Sequence, residues 1–216
     1  MKHTLILVFL FIGANSFASY TYPADWWVNI PVSHRRGSWE ILPQEAKTGE
    51  VILSKRTELG VFSNLSFTPF IFENIIYNSI EGLWQGMKYP DPTDINDPRN
   101  NFSVKYPYTR SEVYLLSGFE SKRAGSIANK INKDNNIDWV SYKKFKFNYK
   151  DMGLGSKFHY KIISEATSEK VIQSNQLIDL LLKTKGLKLR PDHFQSKRSP
   201  SSYYYHKILM SLRNKL

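Results

Sequence analysis

The sequence predicts an α+β fold, a helix-rich single domain carrying a small β-sheet or hairpin. Three observations predict it. Six stretches place apolar residues at helical spacing. One pair of short aromatic and β-branched runs is separated by two turn residues. Of 216 residues, 41% are hydrophobic, 14% aromatic and 23% charged, which is enough apolar material for one compact core. No internal repeat or low-complexity tract suggests a solenoid or a disordered tail.

In chain order, Met1-Lys2-His3 precedes an apolar run from Leu5 to Ile12 and then Ser16-Phe17-Ala18. That is the pattern of a secretory signal peptide over residues 1–18, cut before Ser19, and it predicts an exported, periplasmic or secreted protein. The apolar run is too short to span a hydrocarbon core of about 30 Å as a helix, so stable membrane insertion is not expected. Residues 19–50 carry Pro23, Pro31 and Pro43 among Tyr20, Tyr22, Trp26, Trp27 and Trp39 without steady periodicity. They read as an aromatic, proline-rich N-terminal arm, with the main domain at residues 51–216.

Val51 to Leu53 reads as a strand. Phe70-Ile71-Phe72 and Ile75-Ile76-Tyr77 read as a hairpin turning at Glu73-Asn74. Asn78, three residues before Glu81, signals a helix from Ser79 over residues 79–89, with Ile80, Leu83, Trp84 and Met87 on its apolar face. Residues 90–108, with Pro90, Pro92, Pro98 and Pro107, predict a long irregular loop of the mobile or functional kind. Helical patterns resume at 110–117, 120–132, 157–172, 176–184 (Asn175 as cap) and 201–214. Tyr142-Lys143-Lys144-Phe145-Lys146-Phe147 fits a half-buried strand or a surface that contacts phosphate and stacks a base.

The formal charge of +11 is unevenly spread. Residues 120–216 carry 20 basic and 8 acidic side chains, a net of +12, whereas residues 1–119 carry 10 and 11. Such a field favours an anionic partner, or else is simply a soluble basic surface. With no Cys, disulfides, thiolate nucleophiles, thiolate zinc sites and iron–sulfur clusters are excluded. The five histidines include no pair at helical metal-binding spacing, and neither a nucleophile elbow nor a phosphate-binding P-loop occurs.

Glu81, Gln85 and Lys88 fall at i, i+4 and i+7, so one carboxylate, one amide and one ammonium share a helix face. That face is either a site or a solvated surface on which Glu81 closes a capping box with Asn78. Around it, the block Leu59-Gly60-Val61-Phe62-Ser63-Asn64-Leu65-Ser66-Phe67-Thr68-Pro69-Phe70, followed by Tyr77-Asn78-Ser79-Ile80-Glu81-Gly82-Leu83-Trp84-Gln85-Gly86-Met87-Lys88-Tyr89, resembles the NADAR (YbiA-like) family. In that family an L-S-N-F…P-F segment precedes a small hairpin and a Y-x-S-x-E…Q-x-x-K-F helix. Glu120-Ser121-Lys122-Arg123-Ala124-Gly125 resembles its A-K-R-A-G step, and Leu180-Leu181-Leu182-Lys183-Thr184 its L-L-x-T element.

The resemblance implies N-glycosidase chemistry: hydrolysis of the bond between a ribose C1′ and a base or amine in an ADP-ribose-like or ribose-phosphate substrate. Such cleavage builds positive charge on the sugar, which Glu81 would stabilise, or Glu81 would activate water. Lys88, Lys122 and Arg123 would hold phosphates. Asn64 would hydrogen-bond ribose or base, Trp84 would stack on a ring, and Gln85 completes the set. Where the family carries a W-G-D-like stretch, this sequence runs Pro191-Asp192-His193-Phe194, making Asp192 the second acidic candidate. Asp192-His193 also fits a surface turn pair. The expected partner is an anionic nucleotide-like small molecule or ADP-ribosylated nucleic acid, and the chemistry calls for no metal or redox cofactor. The alternative is a non-catalytic binding protein for ADP-ribose, nucleic acid or another anionic ligand.

Overall fold

The computed structural model describes residues 21–151 and 153–216, so the expected signal peptide and Tyr20 lie outside the described residues. The described residues fold as an α+β domain of six α-helices and three two-stranded sheets. Among the described residues no helix is long and apolar enough to cross a membrane.

Strand β1 (Glu50–Leu53) is buried along its whole length, as its unbroken Val51-Ile52-Leu53 run requires. It pairs in parallel with a strand that the sequence pattern did not announce, Lys188–Pro191, with Leu53 opposite Pro191. Lys-Leu-Arg-Pro has no apolar run; it becomes a strand because Leu189 and Pro191 bury while Lys188 and Arg190 reach Glu50 at 3.3 and 2.9 Å. This pairing carries Asp192 to the end of β1.

The expected hairpin is present as β2 (Phe70–Phe72) and β3 (Ile75–Tyr77), in the register Phe70 to Tyr77. Its turn residues Glu73 and Asn74 both have positive φ, the I′ pattern whose twist suits a two-residue loop. Helix α1 (Ile80–Gly86) follows, but Ser79 caps it, accepting from the Gly82 amide at 2.8 Å. Asn78 instead continues the hairpin backbone, its amide donating to Tyr114 O and its side chain to Leu115 O. The helix also stops at Gly86 rather than running to 89, because Pro90 disfavours helical geometry just before it.

Helix α2 (Arg110–Tyr114) crosses α1 at two glycines. A Cβ on Gly82 would lie 2.7 Å from Leu116 O, and one on Gly86 would lie 2.3 Å from the Tyr114 ring. Helix α3 (Gly118–Asp134) covers another side of α1. The Lys/aromatic stretch proves to be a hairpin, β4 (Val140–Tyr142) and β5 (Phe145–Phe147), turning at positive-φ Lys143 and Lys144. Helices α4 (Leu154–Ile172), α5 (Asn175–Lys183, capped by Ser174 rather than Asn175) and α6 (Tyr205–Arg213) complete the domain, with the parallel strand above, β6, between the last two.

The 90–108 excursion is pinned by buried ions. Arg99 pairs with Asp97 at 2.6 Å with neither side chain exposed, and both Arg99 and Arg110 reach Ser141 Oγ. Arg110 also pairs with Asp91. Trp139 lies under Arg99 and Lys146, 4.4 and 4.9 Å from its ring. At the N-terminal side, Trp26 is wholly buried against Val51, Leu53 and Leu59 and donates to Glu58 at 2.7 Å. Residues 24–45 form three short 3-10 turns that wrap this core.

Candidate active site

A cleft of about 720 Å³ opens where α1, the 63–65 loop, α3, α4 and the segment after β6 meet. Asn64, Glu81, Trp84, Gln85, Lys88, Lys122 and Asp192 all line it, although they come from four separate parts of the sequence. Arg123 does not: it is exposed on α3 beside Lys122, because consecutive helical positions point about 100° apart.

Glu81 sits in the first turn of α1. Its backbone amide donates to Asn64 O at 2.9 Å, which docks the Ser-Asn loop on the helix start. One turn on, Gln85 Nε2 donates to Glu81 Oε1 at 2.7 Å and fixes the carboxylate rotamer. Gln85 itself is buried against Gly125 of α3, where a Cβ would stand 1.6 Å from its Oε1. That explains why a glycine closes the Lys122-Arg123-Ala124-Gly125 step. Gln85 Oε1 has no hydrogen-bond partner among the described residues.

Lys88 follows the end of α1 yet is 5% exposed, its ammonium 5.0 Å from the Trp84 ring centroid. Burial pulls its pKa down to about 8, against an opposing pull from the Glu81 charge. Asn132 donates to Lys88 O at 3.0 Å and fixes the backbone there. Trp84 packs edge-on to Tyr149 and 4.2 Å from the His159 ring. His159, on α4, is held through Nδ1 to Ser202 Oγ at 3.0 Å. Burial first, and the Lys88 charge second, depress its pKa to about 3, so it is neutral at physiological pH.

Two other carboxylates line the cleft, and both are engaged. Asp192 is buried, not a surface turn; it pairs with Lys55 and accepts from His193 Nδ1 at 2.9 Å. Burial alone would raise its pKa, but His193 and Lys55 outweigh it and hold it low. Glu40 takes two bonds from Arg56, at 2.9 and 3.0 Å, and one from the Arg36 amide at 2.6 Å. Among the described residues, Glu81 is the cleft carboxylate without an ion pair.

Sequence reasoning missed Arg36, Lys55, Tyr149, His159 and Tyr203, all in the lining. The N-terminal segment enters the wall through Ile41 N to Asp192 O and Phe194 N to Trp39 O, at 2.8 and 3.1 Å. No periodic signal encodes those long-range contacts. For His159, an imidazole on the buried face of a long helix was a weak available sign.

No protein-family model matches the chain. No match was found among curated proteins. Among solved structures, the chain is similar to the NMR structure of the Escherichia coli protein YbiA, with 17% sequence identity and a TM-score of 0.48, over 79% of this chain and 87% of that one.

Proposed function

We infer that the chain is an exported N-glycosidase of the NADAR kind, hydrolysing the C1′–N bond of an ADP-ribose-like or ribose-phosphate substrate. The observation that carries the reading is Glu81: one carboxylate, oriented by Gln85 and free of any ion pair among the described residues, in a cleft whose other described carboxylates are neutralised by cations. As the C1′–N bond lengthens, the sugar becomes cationic, and a fixed anion beside it lowers the barrier. Water adds its oxygen to C1′, and its proton passes to the departing nitrogen. Glu81 stabilises the cation or takes that proton in transit. Lys88, Lys122 and Arg36 supply positive charge along the same cleft for the phosphates. Trp84 lines the cleft but is nearly buried, its ring packed against His159, Tyr149 and the Lys88 ammonium, so it shapes the wall rather than offering a free face on which a base stacks.

The test is incubation of the purified protein with ADP-ribosylated guanine nucleotide, ADP-ribosylated DNA and a ribosylamine phosphate, following release of base or amine. Product from at least one, reduced about 100-fold or more by Glu81→Gln, is the expected result. No product from any of the three, with Glu81→Gln indistinguishable from the parent, overturns the reading.

One observation favours binding without turnover: Asp192, the second acidic candidate, is tied to Lys55 and His193. Under that reading ADP-ribose binds with equal affinity to the parent and to Glu81→Gln, and no substrate is cleaved.

A further inference from the structure

Lys170 lies in the last turn of α4 and is 2% exposed. Among the described residues it has no ion pair with a carboxylate; its ammonium donates instead to two backbone carbonyls, Val61 O at 2.9 Å and Ser63 O at 3.0 Å. A buried ammonium without a counter-ion is costly, and here burial draws its pKa down to about 7. An apolar side chain would avoid that cost but leave both carbonyls short of a donor.

What the two bonds secure is specific. The Ser63 carbonyl belongs to the peptide that leads into Asn64, so an ammonium on it fixes the plane from which the Asn64 side chain departs toward the cleft. The next carbonyl, Asn64 O, accepts the Glu81 amide at 2.9 Å, and Leu65 O accepts the Gly118 amide at 2.7 Å, at the start of α3. One short loop therefore joins α4, α1 and α3 at the cleft wall, and Lys170 clamps it from behind, 107 residues away in sequence.

We propose that Lys170 is a positioning residue: through the Val61 and Ser63 carbonyls it sets the Ser63–Asn64 peptide, and thereby both the Asn64 side chain and the backbone anchor of Glu81. It acts from outside the cleft and touches no substrate. Its link to ligand binding rests on the N-glycosidase reading; its link to loop geometry does not.

The test uses the full chain labelled with 15N. In the parent, the Lys170 ammonium protons exchange slowly enough to give a resolved signal. Exchange as rapid as that of an exposed lysine overturns the proposal without any variant. Lys170→Met shifts the Asn64 side-chain amide and Glu81 backbone amide signals while Val51 and Leu189, in the β1–β6 pair, stay in place. It also weakens ADP-ribose binding about tenfold or more, the scale of effect a small displacement of a site group produces. Lys170→Arg, which keeps the donors, restores part of both. Unmoved Asn64 and Glu81 signals in Lys170→Met overturn the proposal. Val51 and Leu189 signals moving as far as those at the site also overturn it, since Lys170 then serves the whole core. If the parent binds no ADP-ribose, the ligand reading fails and the NMR signals still decide the role of Lys170.

Discussion

Gly125 shows how little chain a site can turn on. Its missing side chain is the space that Gln85 occupies, and Gln85 in turn sets the Glu81 rotamer. Gly125→Ala therefore expels the amide and costs about 1–3 kcal/mol in stability through overpacking; under the proposed N-glycosidase reading it also lowers turnover further than the lost stability explains. Denaturant melts beside turnover of the folded fraction measure both, and an alanine variant with unchanged turnover contradicts the arrangement. Lys88 gives a second expectation. With its pKa drawn down to about 8, it is charged at neutral pH and neutral well above 8. If it holds a phosphate, ADP-ribose affinity falls as pH rises through that value. An affinity constant from pH 6.5 to 9.5 assigns the phosphate contact to other cations.

At the scale of elements, local rules decide ends and turns, and one-residue shifts follow from competition between them. Asn78 and Ser79 are both good caps, and the hairpin wins Asn78 because its backbone amide completes a bond to Tyr114 O. Ser79→Ala removes the bond to the Gly82 amide and costs about 1 kcal/mol, whereas Asn78→Ala leaves the cap intact. Urea denaturation separates the two: the α1 cap claim fails if Asn78→Ala costs more and Ser79→Ala costs nothing. The β4–β5 turn invites the opposite change. Lys143 and Lys144 hold φ of 48° and 66°, which asparagine and glycine adopt with less strain. Replacing them together as Lys143→Asn and Lys144→Gly stabilises the protein by about 0.5 kcal/mol, net of the exposed Lys143–Glu73 pair, read as a raised urea midpoint.

The whole molecule stores its polar groups unusually deep, and this sets its pH response. His159 and His206 are neutral in the fold because burial lowers their pKa to about 3 and about 4. Unfolded, each titrates near 6.5, so between 6.5 and those values the unfolded chain binds more protons. The stability they allow is present above pH 6.5 and is lost as pH falls toward 3, by a few kcal/mol for His159, on the order of 1.4 kcal/mol per unit. The buried carboxylates Asp97 and Asp91 act with the same sign at lower pH, since their partners hold their pKa below the ordinary value despite burial. Thermal unfolding followed from pH 7.5 to 4 accordingly shows a falling Tm, already marked before the carboxylates titrate. A Tm that is flat from 7 to 5 removes the buried neutral imidazoles from the account.

By itself the sequence determined what depends on neighbours in the chain. The β2–β3 hairpin and its two-residue turn, the positions of six helices to within a few residues, and the shared side of Glu81 and Gln85 all follow from periods of 2 and 3.6 and from turn chemistry. Tertiary structure alone decided which distant segments meet. Only it made Lys188–Pro191 a strand, joined Asp192 to Lys55 across 137 residues, neutralised His159 behind Trp84, folded Arg99 and Arg110 onto Ser141, and set Lys170 behind Asn64. The reason is physical: a periodic pattern states which face of an element is apolar, whereas ion pairing, desolvation and carbonyl satisfaction depend on what the opposite face supplies.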